Sequence, residues 1–148
     1  MKVNKRWVLA GEAVFTIQIP ESAESEKPHY TYKVQRVEGS DRWPEAYFVK
    51  LLIGPDNTSD FAYMGKLNAF TGQVNTTTKS QKFDGSYPLR LLNRVLARVW
   101  CDDNAAFESH GYHVHHEGKC CRCGRRLTVP ASVESGIGPE CAKMMSIA

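Results

Sequence analysis

The chain has 148 residues, enough for one ordinary domain, or a small domain with an appended module, built around a real hydrophobic core. A net charge of +3 with 24% charged residues fits neither an acidic mimic of DNA nor a strongly basic nucleic-acid coat. Apolar runs such as Tyr47 to Ile53 are too short to span a bilayer, and Met1-Lys2-Val3-Asn4-Lys5-Arg6 leads into no signal-peptide core, so a cytoplasmic protein without membrane contact is expected.

Residues 13–19 alternate strictly, with Ala13, Phe15, Ile17 and Ile19 on one side and Pro20 at the end, which predicts a half-buried strand. A polar loop, Glu21 to Pro28, leads to a second strand in which Tyr30, Tyr32 and Val34 alternate with Thr31, Lys33 and Gln35. Ala46 to Ile53 reads as an apolar third strand closed by the turn Gly54-Pro55-Asp56-Asn57, and Phe61 to Leu67 as a fourth. The β-branched run Val74 to Thr78 adds a fifth. Short connections between these strands favour an antiparallel meander.

After Gly85 the period becomes helical. Ser86 is a capping residue, Pro88 lies in the first turn, and Leu92, Val95, Leu96 and Val99 form one stripe, predicting a helix over 87–101 that lies on the sheet. Its other side carries Arg90, Arg94 and Arg98 at i, i+4 steps, a basic row facing solvent. Asp102 to Ser109 is read as one further helical turn. Cys101, at the end of the long helix, is expected to be a small buried or half-buried residue.

The segment 113–141 holds four of the five cysteines. Cys120 and Cys123 form a C-x2-C pair, Cys141 follows after seventeen intervening residues, and His116 sits four residues before the pair. Clustered cysteines in a reducing compartment point to metal rather than disulfides, and thiolates with imidazole suit a tetrahedral Zn²⁺. In 112–116 alternation puts Tyr112, Val114 and His116 on one face, making His116 the expected fourth ligand, with His113 or His115 as second choice. Gly124 allows the tight turn after the pair, and Cys121, between the ligands, should point away as a free thiol. Leu127 to Val129 is predicted to be a short strand and Pro130 to Ser135 a helical turn. Pro139 opens a last helix with Cys141 in its first turn, where the helix dipole favours a thiolate. A catalytic zinc is the alternative, but the deaminase pattern needs H-x-E and P-C-x-x-C, and no proline precedes Cys120.

The run Cys120-x2-Cys123-Gly124-Arg125-x-Leu127-Thr128-x-Pro130-x-Ser132-x3-Gly136-Ile137-Gly138-Pro139-x-Cys141 resembles the C-terminal signature of a widespread family of uncharacterised proteins of bacteriophages, prophages and their bacterial hosts. Longer relatives carry a His-Glu-Gly, as His116-Glu117-Gly118 does here. Weaker similarity extends upstream through Leu9-Ala10-Gly11, Phe15-Thr16, Phe48-Val49 and Gly54-Pro55-Asp56-Asn57. The resemblance implies a zinc-binding phage or mobile-element protein and carries no activity with it.

The expected fold class is α+β: an antiparallel sheet with one packed amphipathic helix over 1–109, followed by a small zinc-binding module over 110–148. The first functional reading is a non-enzymatic accessory protein that binds nucleic acid. Lys119, Arg122, Arg125 and Arg126 at the zinc turn, with Arg90, Arg94 and Arg98 on the helix, would contact phosphates while Tyr30, Tyr32 and Trp43 stack bases. Three thiolates leave the zinc centre with a net negative charge, so some of these cations would only neutralise it. The alternative is an anti-defence protein that inhibits a host defence or replication complex by binding it. An enzyme using Asp56, Asp60, Asp102 and Asp103 as metal carboxylates is the third reading, although such residues are commonplace in turns. No small-molecule substrate is expected.

Overall fold

The computed structural model describes residues 3–56, 58–117, 119–126 and 135–145. Six strands form one antiparallel sheet: β1 (Glu12–Gln18), β2 (His29–Val37), β3 (Ala46–Leu52), β4 (Phe61–Leu67), β5 (Val74–Asn75) and β6 (His113–His116). Their order is β5-β4-β3-β2-β1-β6. The first five follow the chain as the short loops require, and β6 returns after the helices to pair with the free edge of β1. The cysteine-bearing segment therefore begins as an edge strand of the main sheet.

Period-two alternation builds the dry face. Ala13, Phe15 and Ile17 of β1, Tyr32 and Val34 of β2, and Val49 of β3 are essentially without exposure. Against them lies α2 (Tyr87–Trp100), whose Leu89, Leu92, Val95, Leu96 and Val99 are buried in the same core. Two polar ties fix the helix on the sheet. The Tyr32 hydroxyl donates to the Pro88 carbonyl at 2.7 Å, and the Asn93 side chain bonds both backbone groups of Val74, at 2.7 and 3.0 Å. A short α1 (Lys5–Val8), capped by Asn4, packs Trp7 edge-on against Phe15. Its four residues are too few to show a period in the sequence.

Two elements differ from the sequence reading. The fifth strand stops at Asn75 rather than running to Thr78, because Thr77 and Ser80 close a capping box that starts a 3-10 helix over Thr78–Phe83. The helical turn after α2 is shorter than 102–109, spanning Ala105–Glu108 as α3. Cys101, the C-cap of α2, is exposed rather than buried, since the chain has already left the core stripe there. The predicted strand at 127–129 and most of the helical turn at 130–135 lie outside the described residues. Pro139 does open the last helix, α4 (Pro139–Met144), with Cys141 in its first turn.

In β4 the alternation breaks. Val49 pairs with Gly65 but Lys50 pairs with Tyr63, so Met64 is an extra residue and is fully buried. A side chain at Gly65 would run into the Asn75 carbonyl, so glycine lets β5 approach. The consequence for the outer face is large, because Lys66 now stands on the same side as Phe61 and Tyr63.

Candidate metal centre and sheet surface

The C-x2-C turn is closed by backbone bonds: the Cys120 amide donates to the Arg125 carbonyl at 2.8 Å and the Gly124 amide to the Cys120 carbonyl at 2.9 Å. Gly124 has φ +77°, the left-handed conformation such a turn needs. Lys119 and Arg126 form a bridge across its base. From the other side α4 brings Cys141, and the ligand atoms of Cys120, Cys123 and Cys141 all lie within 4.8 Å of one another. Sulfurs bound to one tetrahedral Zn²⁺ at about 2.3 Å stand about 3.8 Å apart, so a small closure of the group suits the ion.

Electrostatics favour thiolate at one ligand before any metal arrives. Burial alone would raise Cys120, but the backbone N–H groups of Gly138, Cys123 and Arg122 outweigh it, and the thiol is brought down to about 7. Cys141 stays raised by burial and by its cysteine neighbours, even though the Arg122 guanidinium lies 3.7 Å from its sulfur. The same guanidinium reaches Met144 Sδ at 3.2 Å. Arg122 is thus directed at the sulfur cluster, while Arg125 and Arg126 are exposed.

Cys121 is not one of the converging group. It is fully buried, its thiol is pushed by that burial up to about 12, and its backbone is held at both ends: its amide donates to Gly136 and its carbonyl accepts from Glu12. All five cysteines are free.

None of the histidines joins the three sulfurs within the described residues. In β6, His116 and Val114 oppose Phe15 and Ile17 and so share the core-side face, as alternation predicts, whereas His113 and His115 oppose Gln18 and Thr16 on the outer face. There His115 Nε2 lies 3.0 Å from the Gln18 side-chain oxygen.

The stacking candidates separate sharply. Tyr30 and Tyr32 are core residues, Tyr32 stacked on Phe15 at 5.8 Å, and are closed to a ligand because they lie on the α2 side. Trp43 is 73% exposed in the β2–β3 loop. Arg90, Arg94 and Arg98 are exposed along α2 as predicted. Two of the carboxylates offered for an enzyme have local work: Asp56 accepts from Thr58 and Ser59, and Asp60 accepts from the Asp56 amide at 2.8 Å. The Thr58 hydroxyl, first among these partners, holds Asp56 well below the usual carboxylate range.

A second surface was not legible as a site. On the outer face, cross-strand pairing places Lys33 beside Lys50, Lys50 beside Tyr63, Phe48 beside Lys66 and Leu52 beside Phe61. Phe48 and Tyr63 meet edge to face at 5.7 Å, Lys33 lies 5.4 Å from the Phe61 ring, and Lys66 lies 5.7 Å from the Phe48 ring. Lys50 donates to Gln35 at 3.2 Å, and Lys33 is 3.8 Å from a Glu12 carboxylate oxygen. Three ammonium groups are thereby interleaved with three aromatic rings.

Residues 113–146 match the model of a family described as a family of unknown function (DUF6011), a span that takes in β6, all three clustered cysteines and α4. No curated protein and no solved structure matches the chain. No helix among the described residues is long and apolar enough to cross a membrane.

Proposed function

We propose that the chain is a non-enzymatic nucleic-acid-binding accessory protein of a phage or mobile element, working in the bacterial cytoplasm, with a structural Zn²⁺ held by Cys120, Cys123, Cys141 and His116. The phage setting rests on the resemblance at 120–141. Zinc rests on three sulfurs gathered within 4.8 Å of one another, with backbone N–H groups favouring thiolate at Cys120. His116 as fourth ligand rests on its sequence distance from Cys120 and its core-side position on β6. A site closed by four protein ligands leaves no position for a reacting water.

The observation that carries nucleic acid is the outer sheet face, where Lys33, Lys50 and Lys66 alternate with Phe48, Phe61 and Tyr63. Phosphates pair with ammonium groups and bases stack on rings, and a twisted sheet presents both in rows. The exposed Arg125 and Arg126 extend the basic surface at the zinc turn. Binding of labelled single-stranded and duplex oligonucleotides across a salt series tests the reading. Affinity should fall steeply with salt, and replacing the three lysines by alanine should reduce the slope by about 2, at roughly 0.7 per lost phosphate contact on a single strand. Absence of binding to single strands, duplex DNA and RNA at low salt would end this reading and leave inhibition of a host protein complex ahead of it.

A further inference from the structure

At the β1–β2–β6 end of the outer face there is a cavity of about 530 Å³. That size lies within the range of small-ligand sites and exceeds what one nucleobase needs. Its apolar walls include Pro28 and Leu52, and Leu52 is the cross-strand partner of Phe61, so the cavity continues the aromatic row. Its polar wall is a relay of short bonds. The Thr16 hydroxyl donates to one oxygen of Glu117 and lies 2.7 Å from the Thr31 hydroxyl, with Thr31 only 7% exposed. This relay orients the Glu117 carboxylate and leaves its second oxygen without a described partner.

The chemistry narrows the occupant. Glu21 and Glu117 both line the cavity, so a phosphate is repelled. The carboxylates and imidazoles here do not converge as metal ligands do, since among the described residues only the three cysteines form such a group. A carboxylate fixed beside apolar walls accepts hydrogen bonds from an exocyclic amino group, as acidic side chains do from cytosine N4.

We propose that this cavity seats one unpaired base of a single strand lying across the outer face, and that Glu117 selects a base bearing an amino group over thymine or uracil. The inference rests on the nucleic-acid reading and assigns to it a strand type and a base preference. Cytosine and thymine isolate the point, because they are pyrimidines of similar size and the amino group of one is a carbonyl oxygen in the other.

The test compares equal-length oligo-dC and oligo-dT at neutral pH and fixed salt, with the duplex of mixed sequence as a third probe. The zinc-loaded wild-type protein should prefer oligo-dC by about tenfold, and both single strands over the duplex. Glu117→Gln keeps an acceptor for the Thr16 hydroxyl but loses the charge, and should bring the preference within about twofold. A second arm leaves the protein untouched: dimethylating cytosine N4 removes both donors and should abolish the preference. Equal binding of dC and dT by the wild type, a preference that survives Glu117→Gln, or one that survives N4 dimethylation overturns the proposal while nucleic-acid binding stands. If no oligonucleotide binds, the nucleic-acid reading falls and this one with it.

Discussion

The backbone N–H of Glu12 donates to the carbonyl of Cys121 at 2.7 Å, so the first strand of the sheet starts from the cysteine turn. The contact is close on the neighbouring residue too, where a side chain at Gly11 would meet the Arg122 carbonyl at 2.9 Å. The cysteine segment is consequently tied to the body both here and through the β1–β6 ladder.

Metal removal should therefore loosen one end of the protein rather than all of it. A metal site that is absent from the unfolded chain contributes its binding energy to folding. Cys123→Ser or chelation should expose the segment from Tyr112 onward to protease while strands β1 to β5 and α2 persist, because most of the buried cluster they share, from Val3 to Phe107, comes from outside that segment. Limited proteolysis followed by mass spectrometry reads this directly. Unchanged resistance of the segment after chelation, or zinc absent from the purified protein, would contradict a structural zinc.

Cys121→Ser should separate packing from ligation. The thiol is fully buried and outside the converging group, so the serine hydroxyl would be desolvated, costing about 1–3 kcal/mol. Zinc stoichiometry should stay the same while the Tm falls. Loss of zinc in this variant would mean that the turn presents the wrong cysteine.

Acid should release the metal with a midpoint governed by the thiols. The metal needs thiolates, so affinity falls as pH drops through the value near 7 for Cys120. Cys141, raised by burial, still carries its proton at neutral pH and must give it up on binding. Calorimetry in buffers of different ionisation enthalpy should show proton release at pH 7 that shrinks as the pH rises. Binding that is independent of pH between roughly 6 and 8 would be inconsistent with these assignments.

Much of the fold was readable because alternation and helical stripe are consequences of burial: the first four strands, α2 and the inward faces of β1, β2 and β6 follow from residue type alone. The same rule failed where a single residue interrupts it. Strict alternation in Phe61 to Leu67 groups Lys66 with Met64, and only the bulge at Met64 moves Lys66 to the side of Phe61 and Tyr63. Tyr30 and Tyr32 were offered for stacking although they share their side of β2 with Val34 and alternate with Thr31, Lys33 and Gln35, the pattern of a buried face. The three cysteines were legible from spacing, whereas no histidine joins them among the described residues, because spacing does not encode how the chain after β6 runs.

Arginines at the metal turn should split into two kinds. Arg122 points at Cys141 and Met144, so Arg122→Ala should weaken zinc retention in a chelator competition and leave the salt dependence of nucleic-acid binding nearly unchanged. Arg125 and Arg126 are exposed, and their double alanine variant should keep zinc while lowering the salt slope. The reverse pattern would place Arg122 on the phosphate surface.

Aromatic rings on the outer face should contribute affinity that salt does not remove. A base stacked on a ring is worth roughly 1–3 kcal/mol, and the contact is not ionic, so Phe48→Ala should lower single-strand affinity by a similar factor at low and high salt. Tyr63 offers a sharper comparison, since its hydroxyl is held by the Thr77 hydroxyl at 3.2 Å while its ring pairs with Phe48. Tyr63→Phe keeps the ring and should bind almost as wild type, whereas Tyr63→Ala should lose affinity with little change in salt slope. Lys66→Ala should do the opposite, because the ammonium beside Phe48 supplies a phosphate contact rather than a stack. Thermal melts of the four variants guard against a folding defect, since Phe48, Tyr63 and Lys66 all lie outside the buried core. Equal losses in Tyr63→Phe and Tyr63→Ala would assign the effect to the Thr77 contact and remove stacking from the outer face.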